Sequence, residues 1–153
     1  MNRSWSKQDM FQIRISPLTQ EMLEMAERGA PPRQALISIM DHSRDCLERY
    51  PAPRVLRLCF DDAEGADRRQ VLITAEQAEA ICAFVLRCRD EIDLLIVHCT
   101  QGASRSAAVA AAVLRGLGED DRLIWDDPRY CPNRLVYSVV CAAFENAAED
   151  GLL

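Results

Sequence analysis

The sequence predicts an α/β protein in which a mostly parallel central sheet is flanked by helices. Segments with the apolar pattern of strands alternate along the chain with segments of helical periodicity, an order typical of parallel sheets. Residues 94–97 are continuously apolar, as expected of a strand buried on both faces. No internal repeat or change of composition divides the chain, so we place one domain across residues 1–153.

Four segments are predicted as strands. Residues 11–16 and 55–60 alternate between apolar and polar side chains, which indicates half-buried strands. Residues 35–40 and 94–97 are apolar runs of strand length. The second alternating segment is followed by a polar loop at residues 61–65.

Two helices are predicted from their start signals. The first is expected to begin at Ser16, with the serine as N-cap and Pro17 in the first turn. The second is expected to follow Thr74, because Thr74 and Gln77 have the spacing of a capping box.

Two further helices are predicted in the second half of the chain. Residues 104–117 are rich in alanine, and Gly118 is expected to end that helix. A last helix is predicted over residues 133–146. Its inward side is expected to carry Leu135, Val136, Val139, Val140 and Phe144.

Size and charge exclude several functional classes. A chain of 153 residues with 49% hydrophobic residues can form a core without a metal or a disulfide. The net charge of −6 disfavours nucleic-acid binding through a basic face. No apolar run approaches the roughly 20 residues needed to span a bilayer, and the first residues lack a signal-peptide pattern. We therefore expect a cytoplasmic protein that binds neither nucleic acid nor membrane, with its oligomeric state open.

The seven cysteines are odd in number and show no CxxC spacing. This disfavours a disulfide framework or a zinc ribbon, and we predict no metal and no cofactor. Most of these cysteines lie in apolar segments, where a free thiol packs as a small hydrophobe. We interpret six of them as packing residues and single out Cys99.

Cys99 belongs to the most informative segment, residues 97–106, which follows the buried strand and opens a helix. Open α/β sheets bind ligands at this position. Cys99 and Arg105 enclose five small or polar residues: Thr100, Gln101, Gly102, Ala103 and Ser104. Their backbone N–H groups would converge at the positive end of the helix, which suits a doubly charged anion such as phosphate. Arg105 adds a planar fork of donors, and the same donors would favour a thiolate on Cys99.

The pattern His98-Cys99-x-x-Gly102-x-Ser104-Arg105-Ser106 resembles the signature loop of cysteine-based protein tyrosine phosphatases, in the form used by dual-specificity phosphatases. The wider stretch, residues 55–144, is also similar to small predicted tyrosine phosphatases of bacteria. In those proteins a Phe-Asn/Asp-Asp segment ends the strand before the loop, and a Pro-Asn segment follows the loop. The matching segments here are residues 58–62 and 132–134, whereas residues 1–50 match no family motif.

The resemblance implies a phosphatase-like fold and a role for each residue of the site. Cys99 would attack phosphorus and form a cysteinyl-phosphate, while Arg105 and the loop amides stabilise the transferring group. Ser106 would assist departure of the thiolate when water releases the phosphate. His98 would support the loop and the low pKa of the nucleophile.

A general acid is also required, and it should protonate the leaving oxygen. By the family pattern the second acidic position, Asp62, matches this acid; Asp61 remains the alternative and is otherwise interpreted as a loop residue or cap. The acidic segment at residues 125–128 follows the nucleophile and is interpreted as a structural turn. Asn133 is expected either to cap the last helix or to support the site directly.

The predicted function is a metal-independent phosphomonoesterase that acts on phosphotyrosine, with phosphoserine and phosphothreonine as further candidates. Its partner would be a phosphorylated protein or a small aryl phosphate. The loop offers no lysine to extra phosphates, which argues against a phosphoinositide specialist. One alternative is a catalytically silent, phosphotyrosine-binding pseudophosphatase; another is an interaction protein in which the loop is accidental. Arg68 and Arg69 are expected either to contact an acidic partner or to lie in a solvated loop.

Overall fold

The computed structural model describes residues 10–43, 51–65 and 67–153. Over these residues the chain forms four strands and five helices. In chain order they are β1 (Gln12–Ser16), α1 (Gln20–Arg28), β2 (Gln34–Met40), β3 (Val55–Cys59), α2 (Ala75–Cys88), β4 (Leu94–His98), α3 (Arg105–Gly116), α4 (Arg122–Asp126) and α5 (Arg134–Glu149).

The four strands form one sheet in the order β1-β4-β2-β3, and every neighbouring pair is parallel. The predicted α/β class is confirmed, and the described sheet is parallel throughout. All four strands therefore end at the same edge, where the loops that follow them meet. The register places Ser16 and Ser38 on either side of His98 at this edge.

Helices cover both faces of the sheet. On one face α1 packs against the strands through Met22, Met25 and Ala26. On the other face α2, α3 and α5 enclose the larger apolar cluster. Every residue of α3 from position 105 to 113 is buried, because its small side chains let the helix lie close to both the sheet and α5. At Gly116 a Cβ atom would overlap the Phe144 ring, so only glycine fits where α3 meets α5.

The predicted start of the first helix is wrong by three residues. Ser16 is the last residue of β1, and α1 begins at Gln20 with Thr19 as its N-cap; the Thr19 Oγ1 accepts a hydrogen bond from the Met22 N–H at 3.1 Å. The helix does not begin before Thr19 because the backbone of Leu18 is bonded to another part of the chain: the Leu18 N–H donates to the Thr100 carbonyl at 3.1 Å.

The other predicted helices are confirmed. Thr74 and Gln77 form the expected capping box at the start of α2, and α3 ends at Gly116, close to the predicted stop. The last helix runs three residues further than predicted, to Glu149. The short helix α4 has no counterpart among the predicted elements. No helix in the described part of the chain has the length and apolar character needed to cross a membrane.

The cysteines divide into three kinds. Cys82 and Cys88 are free and buried, and Cys141 is free and half-buried, which agrees with a packing role. The packing interpretation is wrong for Cys131, which lies exposed in the loop before α5. Cys59, the last residue of the edge strand β3, is buried as expected but is also disulfide-bonded, which the sequence did not predict. Cys46 lies outside the described residues.

Candidate active site

Residues 99–105, here called the 99–105 loop, connect the buried strand β4 to the start of α3. Gly102 adopts a φ of +69°, and a Cβ atom there would lie 2.5 Å from the Pro17 nitrogen. The loop therefore rests directly on the β1–α1 connection, which also donates the Leu18 N–H to Thr100. This close approach explains why glycine is required in the middle of the loop.

Cys99 is 2% exposed, and its Sγ lies 3.1 Å from the Ser106 Oγ in the first turn of α3. Burial acts to raise the pKa of the Cys99 thiol. The hydrogen bonds from Ser106 and from the Gly102 backbone, together with the positive charge of Arg105, act in the opposite direction and leave the pKa below its ordinary value. Cys99 is therefore disposed to ionise, as a thiol nucleophile requires.

The Arg105 side chain is 6% exposed and is held by the ends of three adjacent strands. Its Nη1 donates to the Asp41 Oδ1 at 2.6 Å, after β2, and to the Phe60 carbonyl at 2.9 Å, after β3. Its Nη2 donates to the Thr100 Oγ1, after β4, at 3.3 Å. The Nε atom is buried and has no hydrogen-bond partner among the residues that the structure describes. Buried donors are rarely left unpaired, so this atom marks a place for an acceptor that is supplied from outside the chain.

Asp62 lies against the 99–105 loop. Its Oδ1 accepts hydrogen bonds from the Ser104 Oγ and from the Asn133 Nδ2, each at 2.8 Å. The carboxylate of Asp61 has different partners, because it accepts from the backbone N–H of His42 at 3.1 Å and of Val71 at 2.7 Å. The two neighbouring carboxylates thus have different contacts: Asp61 connects the loop after β3 to the segment after β2, and Asp62 contacts the predicted phosphate site.

Asn133 links the last helix to this arrangement. Its Oδ1 accepts from the Val136 N–H at 3.0 Å and so caps α5. Its Nδ2 donates to Asp62 and also to the Ala63 carbonyl, at 3.1 Å. The two expectations for Asn133, helix cap and support of the site, are therefore compatible, since different atoms of one amide make the two sets of contacts.

The segment before α5 is attached to the loop through its backbone. The Cys131 N–H donates to the Ala103 carbonyl at 2.8 Å, and the Asn133 N–H donates to the Ser104 carbonyl at 3.2 Å. The Arg134 N–H donates to Glu64 at 2.8 Å, which ties the start of α5 to the polar loop that carries Asp62. These bonds hold the 99–105 loop, the polar loop that carries Asp62 and the start of α5 together.

His98 is fully buried, and its Nε2 lies 2.6 Å from the Ser38 Oγ on the neighbouring strand β2. Burial lowers the pKa of His98; a hydrogen bond with the Cys99 backbone acts to raise it, and the charge of Arg105 lowers it, so that the pKa lies below its ordinary value. The imidazole is therefore neutral at pH 7. It sits beneath the 99–105 loop, away from solvent, where it can position Cys99 but cannot contact a substrate.

Other residues considered in the sequence have local contacts. Asp127 pairs with Arg129 at 2.7 Å, and the Trp125 ring packs edge-on against Tyr137 with the centroids 5.0 Å apart. Arg68 is exposed, and Arg69 pairs with its neighbour Asp67 at 3.3 Å. Within the described ranges, no group of three His, Cys, Asp or Glu side chains is arranged to hold a metal ion.

Sequence reasoning missed Asp41 and Ser38. Both lie at the end of β2, which is the strand between β3 and β4. A signal for Asp41 was available, because an acidic residue immediately after a predicted buried strand would face the same edge as the 99–105 loop. The order of the strands, which decides whether that edge position reaches Arg105, is not visible in the sequence.

The sequence matches no protein-family model and no curated protein. The fold nevertheless matches solved phosphatase structures over most of the chain. Human DUSP28 aligns with a TM-score of 0.52 at 20% identity, covering 90% of this chain and 94% of that one. The PTP-2 phosphatase of Cydia pomonella aligns with a TM-score of 0.53 at 15% identity, covering 88% and 89%.

A third structure, Tk-PTP in its active form, aligns with a TM-score of 0.51 at 17% identity and covers 87% of this chain and 90% of that one. The architecture is therefore that of the cysteine-based protein tyrosine and dual-specificity phosphatases. At these identities the similarity establishes the fold.

Proposed function

We propose that this protein is a metal-independent phosphomonoesterase that hydrolyses phosphotyrosine through a cysteinyl-phosphate intermediate. One observation carries the proposal: the buried, unpaired Nε of Arg105 belongs to the same loop as a thiol whose pKa is lowered. An anion acceptor and a nucleophile are both required for phosphoryl transfer to cysteine. The phosphatase-like fold supports the same reaction.

In the first step the Cys99 thiolate attacks phosphorus, so that an S–P bond forms while the bond to the leaving aryl oxygen breaks. Arg105 and the backbone N–H groups of the loop bind the three non-bridging oxygens, where negative charge is held in the transition state. Asp62 donates its proton to the leaving oxygen and becomes a carboxylate. The products of this step are the free phenol and the cysteinyl-phosphate.

The hydrogen bonds of Asp62 indicate which oxygen carries that proton. Ser104 and Asn133 both donate to Oδ1, so Oδ1 acts as an acceptor. Among the described residues Oδ2 has no hydrogen bond, and the proton belongs there, free to be transferred. Ser104 and Asn133 thus orient the acid while leaving its reactive oxygen open.

In the second step the Asp62 carboxylate removes a proton from water, and the water oxygen attacks phosphorus. The S–P bond breaks, inorganic phosphate leaves, and Cys99 returns to the thiolate. Ser106 lies 3.1 Å from the sulfur and can donate a hydrogen bond to it as negative charge returns. Asp62 is protonated again at the end of the cycle.

We propose a phosphorylated protein or small aryl phosphate as the substrate, with phosphotyrosine preferred and the shorter phosphoserine and phosphothreonine as weaker candidates. One structural relative, PTPMT1, has been solved in complex with PI(5)P; it aligns with a TM-score of 0.51 at 15% identity, covering 90% of this chain and 97% of that one. In this chain Thr100, Gln101 and Ala103 provide no cation for additional ring phosphates. The absence of a lysine or a second arginine in this loop favours a protein substrate.

The alternative function is a phosphate-binding module that performs no chemistry. Both functions predict that vanadate or phosphate binds to the 99–105 loop. They differ in turnover, because a binding module would hold the anion without cleaving an ester.

The test is steady-state hydrolysis of an aryl phosphate in the presence of EDTA, for the wild type and for Cys99→Ser. We expect turnover by the wild type without metal and none by Cys99→Ser, with vanadate inhibiting the wild type. If the wild type binds vanadate but shows no turnover that depends on Cys99, the enzymatic function is refuted and the phosphate-binding module is supported.

A further inference from the structure

A guanidinium group must be oriented before it can bind two phosphate oxygens. Arg105 is planar and always charged, and one edge of its guanidinium presents Nε–H and an Nη2–H side by side. This edge matches two oxygens of a phosphate. Rotation about the end of the side chain would turn the edge away, so the catalytic value of Arg105 depends on what fixes its plane.

The contacts of Nη1 fix that plane. Nη1 has two N–H donors, and both are used: one on the Asp41 carboxylate at 2.6 Å and one on the Phe60 carbonyl at 2.9 Å. Asp41 directly follows β2 and Phe60 directly follows β3, and these strands are neighbours in the sheet. The two acceptors are therefore attached to a rigid frame.

The contacts also separate the two edges of the guanidinium by function. Asp41 and Phe60 occupy Nη1, whereas the unpaired donor is Nε on the opposite edge. Asp41 does not occupy the donors that a phosphate would use. It is 65% exposed while Arg105 is 6% exposed, so it lies at the mouth of the site and contacts the arginine from outside.

We propose that Asp41 is a positioning residue, which holds Arg105 by Nη1 so that the Nε and Nη2 edge faces the phosphoryl group. This inference rests on the proposed function, because it assigns Asp41 a part in that reaction. Asp41 touches neither substrate nor the reacting atoms; it acts through the plane of the guanidinium.

The test compares Asp41→Asn, Asp41→Ala and Asp41→Glu with the wild type, in aryl phosphate turnover and in direct calorimetric binding of vanadate. Asp41→Asn keeps the shape of the side chain and Asp41→Glu keeps its charge. Asp93→Ala is the matched control, since Asp93 forms an exposed ion pair with Arg33, at 2.7 Å, at the opposite end of β4.

We expect Asp41→Ala to lower kcat/KM on the order of 10²-fold, the effect of a small misplacement of a catalytic group. The loss should appear mainly in kcat, vanadate should bind more weakly by a similar factor, and Asp41→Glu should restore part of both. Asp93→Ala should match the wild type. If Asp41→Ala does not fold, as judged by circular dichroism, Asp41→Asn decides the question with the same expected direction.

Two results would overturn the assignment. Turnover and vanadate affinity at or above the wild-type values in Asp41→Ala or Asp41→Asn would show that Asp41 competes with phosphate or is a bystander. Reduced turnover with unchanged vanadate affinity would show that its effect does not pass through Arg105. Because vanadate binding is measured directly, a wild type without turnover refutes the proposed function while the binding comparison still tests Asp41.

Discussion

At the scale of single residues, the site separates groups of similar chemistry by their hydrogen bonds. Asp61 and Asp62 are adjacent in sequence, yet Asp61 is bound by the backbone N–H groups of His42 and Val71, whereas Asp62 is bound by the side chains of Ser104 and Asn133. Cys99 likewise differs from Cys82, since burial raises the pKa of Cys82 without opposing donors, whereas Ser106 and Arg105 outweigh burial at Cys99. The hydrogen-bond partners of these side chains, more than their residue type, therefore distinguish Asp62 from Asp61 and Cys99 from Cys82.

The two carboxylates give a direct test of this separation. Asp62→Asn removes the proton donor, so we expect kcat for a substrate with a poor leaving group to fall on the order of 10²–10⁴-fold. The loss should be much smaller for an aryl phosphate whose phenol leaves readily. Steady-state kinetics with the two substrates would check this expectation.

Asp61→Asn is the matched control for that experiment. It loses two backbone hydrogen bonds, so it should lower the melting temperature, but its dependence on the leaving group should remain that of the wild type. The reverse result, with the leaving-group dependence changed only in Asp61→Asn, would assign the acid to Asp61.

Ser106 provides a test of the thiol. Hydrogen bonds from Ser106 lower the pKa of Cys99, so Ser106→Ala should raise it. A lowered pKa keeps the thiolate populated towards acid pH; removing the hydroxyl should therefore move the acid limb of kcat/KM to higher pH. The pH dependence of iodoacetate alkylation, followed by mass spectrometry of the Cys99 peptide, measures the same shift. The exposed thiol of Cys131 serves as an internal reference that should not change.

At the scale of elements, the site is assembled by the parallel sheet. The strands β2, β3 and β4 end side by side in the sheet. A residue from the segment after each strand accepts a hydrogen bond from Arg105: Asp41 after β2, Phe60 after β3 and Thr100 after β4. The β1–α1 connection supports the 99–105 loop from the remaining edge, through Pro17 and Leu18. The loop thus derives its shape from contacts with other elements as well as from its own sequence.

Gly102 tests this support. Gly102→Ala places a Cβ atom against the Pro17 backbone, so it should lower kcat/KM and vanadate affinity on the order of 10²-fold by displacing the loop. Gly118→Ala is the matched control: its φ is also positive, +81°, but nothing lies within 4 Å of the added atom. It should cost about 1–2 kcal/mol of stability, as expected for alanine at positive φ, and leave turnover unchanged. Equal loss of activity in both variants would mean that backbone strain alone is responsible.

Much of the fold could be predicted because its signals are local. The continuous apolar run of β4 and the capping box of α2 depend on neighbours in sequence, and both were found. The start of α1 was misplaced because Leu18 is held by Thr100, a residue far along the chain. In the same way Asp41 became visible only when the strand order brought it to Arg105.

At the scale of the whole molecule, the loops that follow the carboxyl ends of the parallel strands meet at one candidate site. Fold similarity to phosphatases extends over most of the chain, although identity to the three structures compared above is 15–20%. The features that such low identity leaves untested are chemical: a nucleophile, an oriented arginine and an acid. Hydrogen bonds bring the proposed acid Asp62, from the loop after β3, against the 99–105 loop that carries Cys99 and Arg105. The central claim of the proposal is that Cys99 carries the phosphoryl group during turnover.

The most direct measurement of that claim is to trap the intermediate. Ser106→Ala should slow the second step more than the first, at a pH where the Cys99 thiol is ionised. After mixing with excess aryl phosphate and quenching in acid, intact-protein and peptide mass spectrometry should find one phosphoryl group, located on Cys99. The double variant Ser106→Ala/Cys99→Ser should carry none. Hydrolysis that continues with no phosphoryl group on Cys99, or with the group on another residue, would contradict the account.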